Sequence, residues 1–358
     1  MAKLESSYCP ECHEAFDYPE PPPVGRRVFL KAAAASTAAL AAAPLLADTS
    51  KPAEKKPRPA EELVQELFST LKDDQKKRIV LDYDAGSKDG GKTGIPKRLR
   101  MENQAMDKVT IESVYSKGQA ELIERILKAM SSGDDGYRQI TRGGTWDNSK
   151  SLGRCGAHIY GDPSGKQPWA FTFTGHHITL RCDGNFKDGI AFGGPIYYGH
   201  SPYGYSPANI FHYQTRAVLS VFDALDEKQR ARAVVKGSPG EGHGSVRFRK
   251  KAEERPGILY ADLSSDQKDL VAKVMRTILS PFRPEDGDEV MRAIKDSGGM
   301  EKIHLAFYAD QAMKGEKAPK RKKGEEWSFW RLEGPGFVWN YRVLDHVHTY
   351  VNISSKLA

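Results

Sequence analysis

Residues 169–182 read WAFTFTGHHITLRC, and their alternation constrains the fold more than any other stretch of the chain. Phe171 and Phe173 place apolar side chains at odd positions, whereas Ile178, Leu180 and Cys182 place them at even ones. Successive side chains of a strand point to opposite faces, so the apolar face changes parity at Gly175-His176-His177. A glycine at such a change reads as a β-bulge or a tight bend that re-aims its neighbours. The stretch therefore demands β-structure with one apolar face and sets two adjacent imidazoles where the strand changes its face.

The flanking sequence supplies both helices and further strands. Leu63, Val64, Leu67, Phe68 and Leu71 recur at helical spacing, LKDDQKKRIVLDYD continues as a second short helix, and GQAELIERILKAM (118–130) is amphipathic. RCGAHIY, WAFTFT, HHITLRC and GIAFGG read as strands separated by turn-forming GDPSGKQP and DGNFKDG. Helix returns over 212–235 and 264–280, and the chain closes on the strands WSFWRLEG, FVWNYRV and HVHTYVNI. This order predicts an α+β fold, a single domain over 60–358 in which antiparallel hairpins form one sheet flanked by helices. A Leu-polar-Gln theme recurs at Leu71, Leu225 and Leu263, and Asp226 with Gln229 and Ser264 with Gln267 fit capping boxes. Because the flanking sequences differ, these read as repeated helix starts rather than as a duplicated domain.

The first 47 residues are set apart. Arg26-Arg27 precedes Phe29-Leu30-Lys31 and an alanine-rich apolar run, the pattern of a twin-arginine export signal. The run is too short for a mature membrane span, so the expected partner is the twin-arginine export machinery and the expected location is periplasmic or extracellular. Residues 48–59 (DTSKPAEKKPRP) read as a flexible tether. Cys9-Pro10-Glu11-Cys12-His13 has haem-attachment or half-zinc-site spacing, but it lies upstream of the signal and would stay with the discarded peptide. Cys155 and Cys182 remain, a disulfide pair suited to an oxidising compartment or two buried thiols.

Composition excludes little, but motifs exclude more. Net charge is +7, and its one local excess, KAPKRKK at 317–323, carries no interleaved aromatics, which argues for a solvated loop and against a nucleic-acid surface. The chain has no G-x-S-x-G elbow, H-E-x-x-H, P-loop or Rossmann fingerprint, and the glycine-rich RGGTWDN (142–148) lacks the Lys-Ser/Thr of a phosphate cradle. The last strand offers a partner for the opening histidines. In VLDHVHTYVNI, Val343, Val347, Val351 and Ile353 share one face while His346, His348 and Tyr350 share the other. His176, His177, His346 and His348 are thus candidate ligands for a transition metal (Zn, Cu or Fe), against the alternative that they are the wet face of a sheet. Whether the protein is an enzyme stays open at this level. The second reading is a non-catalytic binding module for a small molecule or carbohydrate. Residues 195–213 would then form a Gly/Pro-rich aromatic loop presenting Tyr197, Tyr198, Tyr203, Tyr205 and Tyr213 with His200 and His212.

The motifs GDPSGKQPWAFTFTGHHITL, FGGPIYY, VLSVFDALDEKQRARAV, IHLAFYAD, WSFWRLEGPGFVWNY and HVHTYV, in that order, resemble the bacterial domain-of-unknown-function 3500 family from about residue 60 to 352. The resemblance implies one domain of this type and frequent export, and it implies no reaction. It also implies an acidic residue near the position of Asn340, where this chain carries an amide instead.

Overall fold

The computed structural model describes residues 59–87, 95–184, 196–241, 249, 251–309, 327–344 and 346–353. Arg26-Arg27, the Cys9–Cys12 motif, the tether before Pro59, GIAFGG and the 317–323 basic run lie outside the described residues. The described strands are β1 Val80–Leu81, β2 Gly156–Tyr160, β3 Trp169–Gly175, β4 Ile178–Gly184, β5 Ile196–Tyr203, β6 Val234–Val235, β7 Ile258–Leu259, β8 His304–Tyr308, β9 Phe329–Gly334, β10 Phe337–Arg342 and β11 His346–Ile353. They form one sheet in the order β1-β2-β3-β4-β5-β11-β10-β9-β8-β6, with β7 beside β8. Only β1/β2 and β6/β8 pair in parallel, so the architecture is the expected α+β fold on a mostly antiparallel sheet.

The parity change in WAFTFTGHHITLRC is a chain reversal. Gly175 pairs with Ile178 and Phe173 with Leu180, so β3 and β4 are two arms of a hairpin and His176-His177 is its two-residue turn. Folding the stretch back brings odd and even apolar positions onto one face, which removes the need for a bulge. Residues 196–203, expected in an aromatic loop, are instead the strand β5, with Tyr197 and Tyr198 buried. Its Gly and Pro residues suggested a loop, but pairing with β11 along the centre of the sheet overrides their low strand propensity. The expected 212–235 helix is broken into His212–Ala224 and Glu227–Ala233, because Asp226 caps the second piece by accepting from the Gln229 amide.

The sheet order is palindromic about β5 and β11, and the two halves match register for register. Ala157 pairs with Phe173 and Ile159 with Phe171 in the first half, as Leu305 pairs with Leu332 and Phe307 with Trp330 in the second. The β3–β4 turn, closed by Gly175 and Ile178, corresponds to the β9–β10 turn, closed by Gly334 and Phe337. Each half opens with a helix pair, a two-residue edge strand and a Ser-capped long helix: Lys117–Met130 after Ser116, and Ser265–Leu279 after Ser264. The recurring glutamines make the same bonds in both halves. Gln75 Nε2 donates to Gln119 Oε1 at 2.8 Å and Gln229 Nε2 to Gln267 Oε1 at 2.9 Å. Gln119 and Gln267 in turn donate to the carbonyls of Thr70 and Ala224. The Leu-polar-Gln theme thus marks a duplicated architecture. Sequence comparison of the flanks missed it because a packed helix face needs only apolar residues of suitable volume, and many sequences supply them.

One face of the sheet, with Phe171, Phe173, Leu180, Trp330, Leu332, Trp339, Val347 and Val351, belongs to the main hydrophobic core shared with the long helices. The alternate positions, among them Thr179, Arg181, Arg331, Glu333, Asn340, Arg342, His346 and His348, are also buried but polar. That second face carries the candidate site. The equivalence of the halves has a measurable consequence: Gln119→Ala and Gln267→Ala each remove a cap and an inter-helix bond, buried in the first half and part-buried in the second, so each should cost about 1–3 kcal/mol in urea unfolding, with the larger value for Gln119→Ala.

Candidate metal centre

The site is assembled from the β3–β4 turn, the last strand and two loops. His177 occupies the second turn position with φ 55°, a left-handed conformation costing a non-glycine residue about 1–2 kcal/mol. The surroundings hold it there. His177 N–H donates to Asn103 Oδ1 at 2.7 Å, His176 N–H to Ser149 Oγ at 2.8 Å, and Gly199 N–H to the His177 carbonyl at 3.0 Å, while Arg142 Nη2 donates to the His176 carbonyl at 2.8 Å. Arg142, Trp146 and Asp147 in the adjoining RGGTWDN segment are also left-handed, so backbone strain concentrates around the histidine turn, as it does at functional sites.

β11 delivers the other imidazoles. His346 and His348 lie two residues apart on the polar face, and β5 leaves room for them. A Cβ on Gly199, the register partner of His348, would lie 2.3 Å from the Val347 carbonyl oxygen and 2.9 Å from His348 Cδ2, so only glycine fits beside that ring. His346 Nε2 is 3.2 Å from His177 Nε2 and 2.7 Å from His348 Nε2. All three rings are buried, and their ligating nitrogens lie within 4.8 Å of one another. Three ligands around a tetrahedral ion with bonds of about 2.0–2.1 Å stand roughly 3.3 Å apart; the 3.2 Å separation matches that spacing and the 2.7 Å one is somewhat shorter.

Carboxylates set the tautomers. His177 Nδ1–H donates to Asp147 Oδ2 at 3.1 Å and His348 Nδ1–H to Glu241 Oε2 at 3.0 Å. An ionised carboxylate only accepts, so the proton sits on Nδ1 and the lone pair on Nε2 faces the cluster. His346 Nε2 also presents its lone pair, accepting from Arg342 Nη2 at 3.2 Å. Burial drives His177 and His348 well below the ordinary histidine range. Arg342 and the neighbouring imidazoles add to the effect at His348, while at His177 the bond to Asp147 opposes it. Both are therefore neutral near pH 7, the form that binds metal. Burial raises Asp147, but the Arg142 guanidinium at 3.1 Å and the bonds from His177 and His200 outweigh it and hold the carboxyl well below its usual range. His200 Nδ1–H donates to the other Asp147 oxygen at 2.8 Å. Glu241 also accepts from Arg342 Nη1 at 2.7 Å.

Of the four histidines singled out from sequence, the structure brings His177, His346 and His348 into one cluster. His176 stands apart from it, its ring tilted 41° against that of His177 with centroids 3.8 Å apart, and falls in a second group with Asp147 and His177. Asp147, Glu241, Arg142 and Arg342 had no motif to announce them. The glycine-rich RGGTWDN, set aside for lacking a phosphate cradle, is the loop that supplies Asp147, and His200 comes from the stretch read as an aromatic loop.

Cys155 and Cys182 are both buried and no bridge joins them, the second of the two readings the sequence left open. Cys155 lies level with Gly175, whereas Cys182 pairs with Phe171. Four residues along a strand span about 13 Å, against the roughly 7 Å between Cα atoms that a bridge tolerates.

Fold and cluster together define an α+β protein with a buried, carboxylate-backed trio of histidines. The model of a family described as a protein of unknown function (DUF3500) matches residues 53–353, and the chain belongs to that family. No curated protein and no solved structure matches it. Among the described residues no helix is long and apolar enough to cross a membrane.

The cysteine geometry is directly checkable: in denaturant without reductant, Cys155 and Cys182 should both be carboxymethylated, and a linked Cys155–Cys182 peptide in the digest would contradict the strand register.

Proposed function

We propose that this is an exported protein with a mononuclear transition-metal centre whose ligands are His177, His346 and His348, with zinc the first candidate and copper or iron the alternatives. The observation that carries the reading is the convergence of three Nε2 lone pairs while carboxylates hold two of the opposite Nδ1 protons. Lone pairs 2.7–3.2 Å apart repel unless a cation or proton lies between them. The histidine–carboxylate arrangement also supports it, because such outer partners orient metal-bound imidazoles and raise their basicity.

Three nitrogen ligands leave one tetrahedral position, the donor set of catalytic rather than closed structural zinc. A metal there supplies a Lewis acid and lowers the pKa of a bound water to about 7. The chain's own contribution is to fix three imidazoles on the buried polar face of the sheet, with Asp147 orienting His177 and Glu241 orienting His348. The binding-module alternative is less favoured, because the Tyr198 and Tyr205 hydroxyls donate to the carbonyls of Ile278 and Trp327 inside the protein.

Elemental analysis of protein from its native pool should give one metal per chain. His346→Ala and His348→Ala should each abolish it, whereas Asp147→Asn should retain the fold and weaken metal affinity about 10–100-fold. Full metal content in both alanine variants would sink the reading. Export is supported by Arg26-Arg27 and the apolar run that follows them. Replacing both arginines by lysine should hold the protein in the cytoplasm, because lysine offers a point charge in place of the guanidinium pair; undiminished export of that variant would contradict the assignment.

A further inference from the structure

Among the described residues, the two carboxylates that back the histidine cluster are each matched by a guanidinium before any metal is counted. Asp147 faces Arg142 at 3.1 Å and Glu241 faces Arg342 at 2.7 Å. A divalent ion on three neutral imidazoles adds two positive charges to this buried region, and both carboxylates nearest the histidines are already engaged with guanidinium groups. A buried charge without a counter-charge is strongly unfavourable, so the position opposite the histidines favours an anion.

Arg342 is placed to hold it. Its Nη2–H donates to His346 Nε2, the same lone pair a metal takes. With that lone pair committed to metal, the N–H needs another acceptor beside the ion. A carboxylate oxygen in the fourth position supplies one, and its partner oxygen suits the planar guanidinium fork. Two residues back along β10, on the same face, Asn340 is fully buried, and neither its amide nitrogen nor its amide oxygen has a hydrogen-bond partner. An unsatisfied buried amide is unfavourable, so it calls for a ligand group that donates and accepts. Asn340 stands about 7 Å along the strand from Arg342, the reach of a short chain.

Resting on the metal reading above, we infer that the centre binds a small hydroxycarboxylate, with the carboxylate at the metal and Arg342 and the hydroxyl at Asn340.

The test uses the intact protein loaded with cobalt(II), whose visible spectrum reports exogenous ligands. Butyrate, 4-hydroxybutyrate and the neutral analogue butyramide are titrated into it. The expected order is 4-hydroxybutyrate tighter than butyrate, with butyramide not binding. Arg342→Lys should keep one cobalt and weaken both acids roughly tenfold, since lysine lacks the fork. Asn340→Leu should leave butyrate unchanged and erase the advantage of the hydroxyl. Butyramide binding as well as butyrate in the wild type overturns the inference whatever the variants do. So does unchanged acid affinity in a cobalt-loaded Arg342→Lys protein, or an undiminished hydroxyl preference in Asn340→Leu. A wild-type protein that takes up no cobalt, zinc, copper or iron defeats the metal reading itself, an outcome separate from these.

Discussion

The antiparallel ladder between β5 and β11 is the contact on which the rest depends. It joins the two halves of the molecule into one sheet, and its register, Gly199 opposite His348 and Tyr197 opposite Tyr350, decides which residues stand beside the histidine turn. Because side chains alternate along a strand, a slip of one residue would carry His346 and His348 into the hydrophobic core and Val347 onto the polar face. The apolar face therefore guards the register, since burying two imidazoles among Trp330, Trp339 and Val351 would be far costlier than any gain on the other side. A bulge between His346 and Val347 relaxes the pairing at the end where the two imidazoles must turn toward His177.

Burying so many polar groups on one sheet face works because nearly every charge has a near partner. Arg181 forks onto Asp183 with bonds of 2.7 and 2.6 Å, Arg331 meets Glu333 at 2.8 Å, and Arg142 and Arg342 meet Asp147 and Glu241. Such pairs contribute modestly to stability, but removing one member typically costs about 3–5 kcal/mol because it strands the other. The polar face is thus tolerant of little, and its geometry is correspondingly well defined. Asp147 shows the economy of the arrangement: one carboxylate orients His177 and His200 while countering the charge of Arg142.

Much of this was legible in the sequence, for identifiable reasons. The period-2 pattern of HVHTYVNI placed His346 and His348 on one face, and the parity change at Gly175 marked the histidine pair as special. Parity alone does not separate a bulge from a reversal, so the hairpin needed the pairing of Phe173 with Leu180 to be seen. β5 was hidden by Gly199 and Pro202, residues that ordinarily end strands but are tolerated in this one. Asp147 and Glu241 were invisible because carboxylates that back a histidine from separate loops leave no spacing to read. The duplication was hidden in the same way. Its signature, two pairs of touching glutamines, surfaces in the sequence only as the recurring Leu-polar-Gln theme, whose dissimilar flanks hid the pairing.

The turn related to the histidine hairpin, Gly334-Pro335-Gly336-Phe337, carries no imidazole, so the centre belongs to one half's turn and the other half's last strand. His177 and His346 are 169 positions apart along the chain. Contacts of such long range form late in folding, after the loop between them has been closed at an entropic cost. Neither half alone contains the trio, and a nascent chain cannot assemble it until the final strand has been synthesised and docked. On the proposed metal reading, uptake by the three imidazoles would thus be a record of completed folding, closed to half-made or misregistered chains.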